Sequence, residues 1–509
     1  MKRFLKVTAV WILLNSFYLS AQVFADGTAS YDQRFAEMEQ QIQALKQQVQ
    51  DLTQQLKEQQ GKNFQDAQQV QGAATTVPGN SQARSTAIVT AQPHIQQSPT
   101  ISSGGFMIQS PDGDYRLKIG GYVDVDARQF ADNKKDLGYS SSIIPRHINP
   151  IIQGTVARDF DYFFQADFGY NNVYQTVSST GTTAYNATML DAYLEYKYFP
   201  WAKIRAGKFK VPFDIENLQD VARYSNFAEL GLTANLSPLR DTGVQVGGSI
   251  LKDRLTYAVG LFGGAADREN FFGGNSTSGA NNNNRDLAGR IFVQPFKGSE
   301  LSLLSGLGVG YAATYGHEKG TDLPNYITPG QAPIFSYNSG VSADGAQVRQ
   351  SPQFYYYFKS FGLIGEYVNA DETLEYKSGP NIIKDRMDNS AWQLTGSYVL
   401  TGENASYWGV TPNHNFDPSN GHWGAFELAG RYGEMTIDHN AFDDGFASLN
   451  TSVSKENAWG IGLNWYLNTN LKMEFDFEQT KFRRGAPNGV STDDRKTENL
   501  FTTRLQLSL

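Results

Sequence analysis

The sequence predicts an all-β fold: a transmembrane antiparallel β-barrel of about sixteen strands, preceded by an α-helical coiled coil. Three observations carry that expectation. Apolar and polar residues alternate along many segments, most cleanly in the last nine residues. There Phe501, Thr503, Leu505, Leu507 and Leu509 share one face, and Thr502, Arg504, Gln506 and Ser508 share the other. The connections between such segments alternate between short and long, as in outer-membrane barrels. Finally, mean hydropathy is only -0.44 although aromatics reach 13%. That balance suits strands wet on one face, with aromatic girdles at the membrane surfaces.

The first element is a leader. Lys2, Arg3 and Lys6 precede the apolar runs Val7 to Leu14 and Phe17 to Leu19, and Val23-Phe24-Ala25 offers small residues at a cleavage site. Residues 1–25 are read as a signal peptide. A retained membrane anchor is the weaker reading, because Asn15 and Ser16 interrupt a short core.

Residues 26–60 carry a heptad seam. Phe35, Ile42, Val49 and Leu56 take one position of the repeat; Tyr31, Met38, Leu45 and Leu52 take the other. Gln, Glu, Lys and Asp fill the remaining faces, so a coiled coil is expected rather than a globular helix. A lone amphipathic helix on the barrel or membrane is the alternative. Residues 61–104 are rich in Gln, Ala, Ser, Thr and Gly, show no period, and read as a flexible linker.

From 105 to 509 the period is two. Leu117, Ile119, Val123 and Val125 alternate with Lys118, Tyr122, Asp124 and Asp126; Leu471, Met473, Phe475 and Phe477 alternate with Lys472, Glu474, Asp476 and Glu478. Candidate strands run from 115–129 to 498–509, and include 301–316, 351–360, 362–370 and 389–401. Tight turns are expected at Phe199-Pro200-Trp201, Lys252-Asp253-Arg254, Lys297-Gly298-Ser299 and Asn468-Thr469-Asn470. Residues 263–285, 317–350 and 438–455 read as long Gly/Asn-rich loops. A soluble β-sandwich also alternates, but its strands are usually shorter. One connection differs from the rest. Residues 211–239 are long yet partly apolar, with Phe213, Leu218, Phe227, Leu230, Leu232 and Leu236. Such a loop has to pack on something, and folding into the barrel would narrow its lumen. Packing on the rim or at a subunit contact is the alternative.

At this loop the sequence resembles a known family. Gly207-Lys208-Phe209-Lys210-Val211-Pro212-Phe213 with Glu216-Asn217-Leu218, and Pro238-Leu239-Arg240-Asp241-Thr242-Gly243-Val244-Gln245-Val246, resemble the entry to and exit from the constriction loop of phosphate-selective porins O and P. Gly154 to Tyr162 and Gln165 to Gly169 resemble that family's second and third strands. The resemblance implies a trimeric sixteen-stranded channel in the outer membrane of a Gram-negative bacterium. Basic residues in its lumen would draw small anions such as phosphate to a waist. On that basis Lys208 and Lys210 are the first pore-lining candidates, with Arg205, Arg223, Arg240, Arg290, Arg146 and His147 behind them. Each has an ordinary alternative, pairing with a carboxylate in a polar lumen.

Two departures stand out. The family's second strand carries an arginine-rich run where this chain has Arg146-His147-Ile148-Asn149-Pro150. Alternation from Ile148, Pro150 and Ile152 sends His147 and Asn149 to the lumen, which thins the basic ladder. Leu509 also ends the chain where such barrels usually end in an aromatic.

Other classes fit poorly. Cysteine is absent and the formal net charge is -8, which excludes thiolate chemistry and argues against nucleic acid as a partner. The six histidines fall in no metalloprotease or hydrolase pattern, so no enzyme, cofactor or metal is expected. A general or sugar-type porin, and an outer-membrane anchor or adhesin with a coiled-coil spacer, are the competing functions. In all of these the helical segment would lie in the periplasm.

Overall fold

The structure, a computed structural model, describes residues 100–102, 105–131, 141–169, 187–219, 224–264, 285–300, 302–321, 323–486 and 492–509, with Gln47. The chain divides into two compact units, Met1–Pro93 and His94–Leu509. Apart from Gln47, every described residue belongs to the second. The signal peptide, the coiled-coil seam and nearly all of the linker lie outside the described residues.

Sixteen strands form the barrel: β1 (Arg116–Phe130), β2 (Ser142–Val156), β3 (Phe160–Asp167), β4 (Thr188–Tyr196), β5 (Lys203–Lys210), β6 (Arg240–Ile250), β7 (Leu255–Phe262), β8 (Asp286–Val293), β9 (Leu307–Gly320), β10 (Val341–Phe358), β11 (Phe361–Ser378), β12 (Asn381–Val399), β13 (Ala425–Thr436), β14 (Val453–Tyr466), β15 (Leu471–Arg484) and β16 (Glu498–Ser508). Each pairs antiparallel with its neighbours in the chain, and β16 returns to β1, from Leu500 opposite Phe130 to Ser508 opposite Tyr122. Closure pairs every one of these strands on both sides, which a bilayer demands of any spanning sheet.

Burial follows the alternation, but inverted with respect to a soluble protein. Val123, Val125, Leu194, Leu261, Leu394, Phe501, Leu505 and Leu507 are exposed on the outer surface, whereas Asp124, Asp126, Arg128, Thr502, Arg504 and Gln506 are buried inside. An apolar outside and a polar inside suit lipid around the barrel. Tyr198, Phe199 and Trp201 are exposed at the β4–β5 turn, where an interfacial girdle belongs.

All the expected tight turns fall at one end of the barrel. Two connections break the short–long rule. At the long-loop end β11 and β12 continue into a hairpin turned at Gly379-Pro380, so 371–378 and 381–388 are strand, not loop. At the short-turn end residues 400–424 form a long connection between β12 and β13. The start of β9 also moves, to Leu307, because Ser302–Leu304 forms a 3-10 turn.

The N-terminal stretch of the described chain joins the seam. Thr100–Ser102, placed by sequence in the linker, pairs with Gly105–Gln109. Gly105–Gln109 pairs in turn with β1, Phe106 opposite Ile119 and Ile108 opposite Leu117. Directly above it Leu509 exchanges both backbone hydrogen bonds with Gly121. Gly121 has φ 142°, and a Cβ there would lie 2.2 Å from the Asn149 carbonyl, so only glycine fits. Phe106, half-exposed beside Leu509, puts an aromatic on the outer row that the C-terminal residue itself lacks.

The apolar core lies within the barrel. Phe209 of β5 and Val211, Phe213, Leu232 and Leu236 of the β5–β6 connection cluster with Tyr326, Ile334 and Phe335 of the β9–β10 loop and with Phe446 of the β13–β14 loop. The Asn235 amide clamps the β9–β10 loop, donating to the Ile327 carbonyl at 2.8 Å and accepting from its N–H at 3.1 Å.

Candidate functional site

Residues 211–219 and 224–239 fold into the lumen, as their apolar content requires. The chain leaves β5 through Val211-Pro212-Phe213. A short helix, Ile215–Leu218, begins at Asp214, whose carboxylate accepts from the Asn217 N–H at 2.7 Å. A 3-10 helix, Leu232–Leu236, leads back to β6. Between them the backbone is held by inward side chains of the wall.

Two carboxylates of the loop organise that hold. Glu229 receives Arg146 Nε at 2.6 Å and Arg146 Nη2 at 3.0 Å. It also pairs with Arg128 and, at 3.5 Å, with Arg504. Asp126 bridges the latter two, receiving Arg504 Nε at 2.6 Å and Arg128 Nη2 at 2.9 Å. Glu216 accepts from Arg431 at 3.1 Å, from Gln393 at 2.7 Å and from its own loop's Gly231 N–H at 2.8 Å. Arg431 reaches on to the Glu229 carbonyl at 2.8 Å and to Glu478 at 2.6 Å. Burial by itself would raise the Glu229 carboxyl, but Arg146 and then Arg128 outweigh it and hold the group well below its usual range. Burial pushes Asp214 the other way, up to about 6.

The long β12–β13 connection meets the loop from the short-turn end. Tyr407 Oη donates to the Ile215 carbonyl, Gln219 donates to the Tyr407 carbonyl at 2.6 Å, and Tyr224 packs edge-on against Trp408 at 5.8 Å. The loop is therefore gripped from two sides.

The candidate cations separate into distinct groups. Arg146 does face the lumen, although strict alternation would have turned it to lipid. A register shift opposite Asp124 and Val125 inserts it as a bulge, so Arg146 and His147 both point inward. His147 sits 2.9 Å from Asp124. Arg205 pairs with Glu195 at 2.6 Å and lies over the Tyr193 ring at 4.3 Å; Arg240 pairs with Asp191 at 3.1 Å. Lys210 donates to the Asn217 carbonyl at 2.7 Å and ties the strand to the loop. Lys208 departs from the pore-lining expectation. It is opposite Ala192 and Thr242, on the outward row of Ala206, Leu194 and Val244, while Phe209 takes the inward position. Arg223 lies outside the described residues.

Arg290 is different again. It points inward from β8, half-buried, with Nε donating to Gln353 Oε1 at 2.9 Å and its guanidinium 4.6 Å from the Phe292 ring centre. Its Nη groups make no hydrogen bond to the described residues. Sequence reasoning missed Glu216 and Glu229 as loop anchors. They are two of four acids in the connection, beside Asp214 and Asp220, and nothing in the sequence sets them apart. Among the buried charged residues described, carboxylates outnumber cations. That excess explains why most lumen arginines are already paired.

Comparison with known proteins accords with this architecture. The family model for phosphate-selective porin O and P matches residues 117–509. Porin O of Pseudomonas aeruginosa is 24% identical over 441 residues, covering 80% of this chain and 91% of that protein. Among solved structures, the outer membrane channel DcaP of Acinetobacter baumannii aligns with a TM-score of 0.49 at 12% identity, over 80% of this chain and all of that one. OmpF of Salmonella typhi, in complex with daunomycin, aligns at 0.46 and 14% identity, over 79% of this chain and all of OmpF. The match spans the barrel from its first strand to its last residue: the chain belongs to the phosphate-selective porin O and P family and is an outer-membrane porin.

Proposed function

We propose that this porin passes small anions, phosphate among them, down their gradient past the inward-folded loop, with Arg290 as the fixed cation they meet. The observation that carries this reading is the pair of Arg290 Nη groups with no described protein acceptor, on a part-exposed wall with Gln245, Ala258 and Tyr355. A guanidinium offers an anion two parallel hydrogen bonds in place of lost water. A unit charge at about 4 Å and an effective ε of 20 is worth about 4 kcal/mol before further screening, so one residue can bias permeation.

A KCl-gradient reversal potential is expected to be anion-selective. Arg290→Gln should cut the chloride-to-potassium permeability ratio several-fold, and Lys208→Gln, on the outer row, should leave it alone. A cation-selective parent channel would sink the reading. A general porin with weak selectivity is the second reading, favoured by the carboxylates that neutralise Arg146, Arg205 and Arg240. Weak phosphate block together with a near-neutral reversal potential would support it.

The homotrimer and a periplasmic coiled coil complete the proposal, resting on the family and on the heptad seam. Deleting residues 31–60 should lower the temperature at which the oligomer dissociates in detergent; an unchanged temperature counts against a role in assembly.

A further inference from the structure

Arg290 stands at one end of a row of three aromatic rings. Phe292 and Tyr355 lie 4.8 Å apart, tilted by 38°, and Tyr355 stacks with Tyr407 at 5.4 Å and 30°. Phe292 lies against Gly308 and Gly310 of β9, where any Cβ would approach its ring within 2.5 Å. The two glycines give that ring its seat. Tyr407 is anchored through its hydroxyl to the Ile215 carbonyl. Gln353 is oriented by Ser351 and Glu366, at 3.1 and 2.9 Å, and so presents its oxygen to Arg290 Nε. The guanidinium is thus held by one edge and one face. Its Nη groups and the Tyr355 hydroxyl make no hydrogen bond to the described residues.

We propose that this cluster is a lumen binding site for organic anions with a flat apolar body, aromatic carboxylates being the simplest case. The proposal rests on the anion-channel reading and goes beyond it. A carboxylate takes the two Nη donors side by side, and the attached ring finds Tyr355 and Tyr407. Inorganic phosphate could use the donors but gains nothing from the rings. Arg205 over Tyr193 shares the chemistry without the vacancy, because Glu195 already occupies its donors.

The test is interruption of KCl current through the full-length porin in planar lipid by three probes at matched ionic strength: benzoate, acetate and inorganic phosphate. Benzoate should block at about tenfold lower concentration than acetate, the ring contribution expected of one aromatic pair, and below phosphate as well. Arg290→Lys, which keeps the charge and loses the fork, and Tyr355→Leu should each weaken benzoate block about tenfold. Equal block by benzoate and acetate, or stronger block by phosphate, overturns the site, as does unchanged benzoate block in both variants. The probe comparison on the parent channel holds whether or not either variant folds. An anion-selective channel with no benzoate preference overturns only this site; a cation-selective parent overturns the anion reading beneath it.

Discussion

Replacing Glu229 by Gln is expected to loosen the inward-folded loop and to move the channel towards anions. Glu229 is a buried carboxylate shared by Arg128, Arg146 and Arg504. Removing one partner of a buried charge network typically costs about 3–5 kcal/mol, because the surviving charges stay desolvated. Here the survivors are guanidiniums, so the lumen gains net positive charge as the loop loses its anchor. Thermal unfolding followed by heat-dependent gel mobility should show the loss, and the reversal potential should shift to the anion side. The pH dependence gives a second readout. The folded Glu229 carboxyl is held below the ordinary value of 4.5, so its contribution is complete above about that pH and disappears as acid protonates it. Acid destabilisation below that point should be shallower in Glu229→Gln than in the parent. An unaltered midpoint and potential would show that the cluster does not hold the loop.

Phe227→Ala should have a comparable effect by a different route. Phe227 is fully buried, Arg431 lies 4.4 Å from its ring centre, and β14 turns Gly460 and Gly462 towards it. A Cβ added to Gly460 would sit 3.0 Å from the ring. The two glycines are a socket in the barrel wall, and the loop's phenylalanine is the plug. Emptying such a site costs about 3–5 kcal/mol in general, and Arg431 would lose its cation–π partner as well. Single-channel conductance should rise and become noisier as the loop detaches. Quiet, parent-like current in Phe227→Ala would mean that the polar contacts alone position the loop.

The barrel was legible because lipid and water impose a strict period of two. Where the bilayer ends, the signal ends. Residues 371–388 are crowded with charge, Asp371, Glu372, Glu375, Lys377, Lys384 and Arg386 among them, which masked the few apolar residues, Leu374 and Met387, that turn inward onto the core cluster, and the β11–β12 hairpin was not read. The alternation argument missed the inward turn of Arg146 for a different reason. A one-residue bulge flips every following side chain, and nothing in Pro145-Arg146-His147 announces it. Lys208 was within reach: Ile204 and Ala206 already assign its parity to the outside, and the motif's basic character obscured this. The loop's inward path was readable from its apolar residues, but its anchors were not. Glu216 and Glu229 find their arginines only after distant strands meet, as with Glu229 and Arg504 on β16.

The short strand Gly105–Gln109, paired with Thr100–Ser102, has a consequence for the bore. A closed barrel's radius depends on strand number and on the stagger accumulated around the sheet. The last register to be set is that of β16 on β1, and it determines the stagger for the whole ring. Gly105 and Phe106 occupy the edge of β1 immediately beyond Leu509. A closing strand that slid two residues along β1 in that direction would run into them. Gly105–Gln109 therefore acts as an end stop, and the width available to a solute is gauged where the chain's last residue meets it.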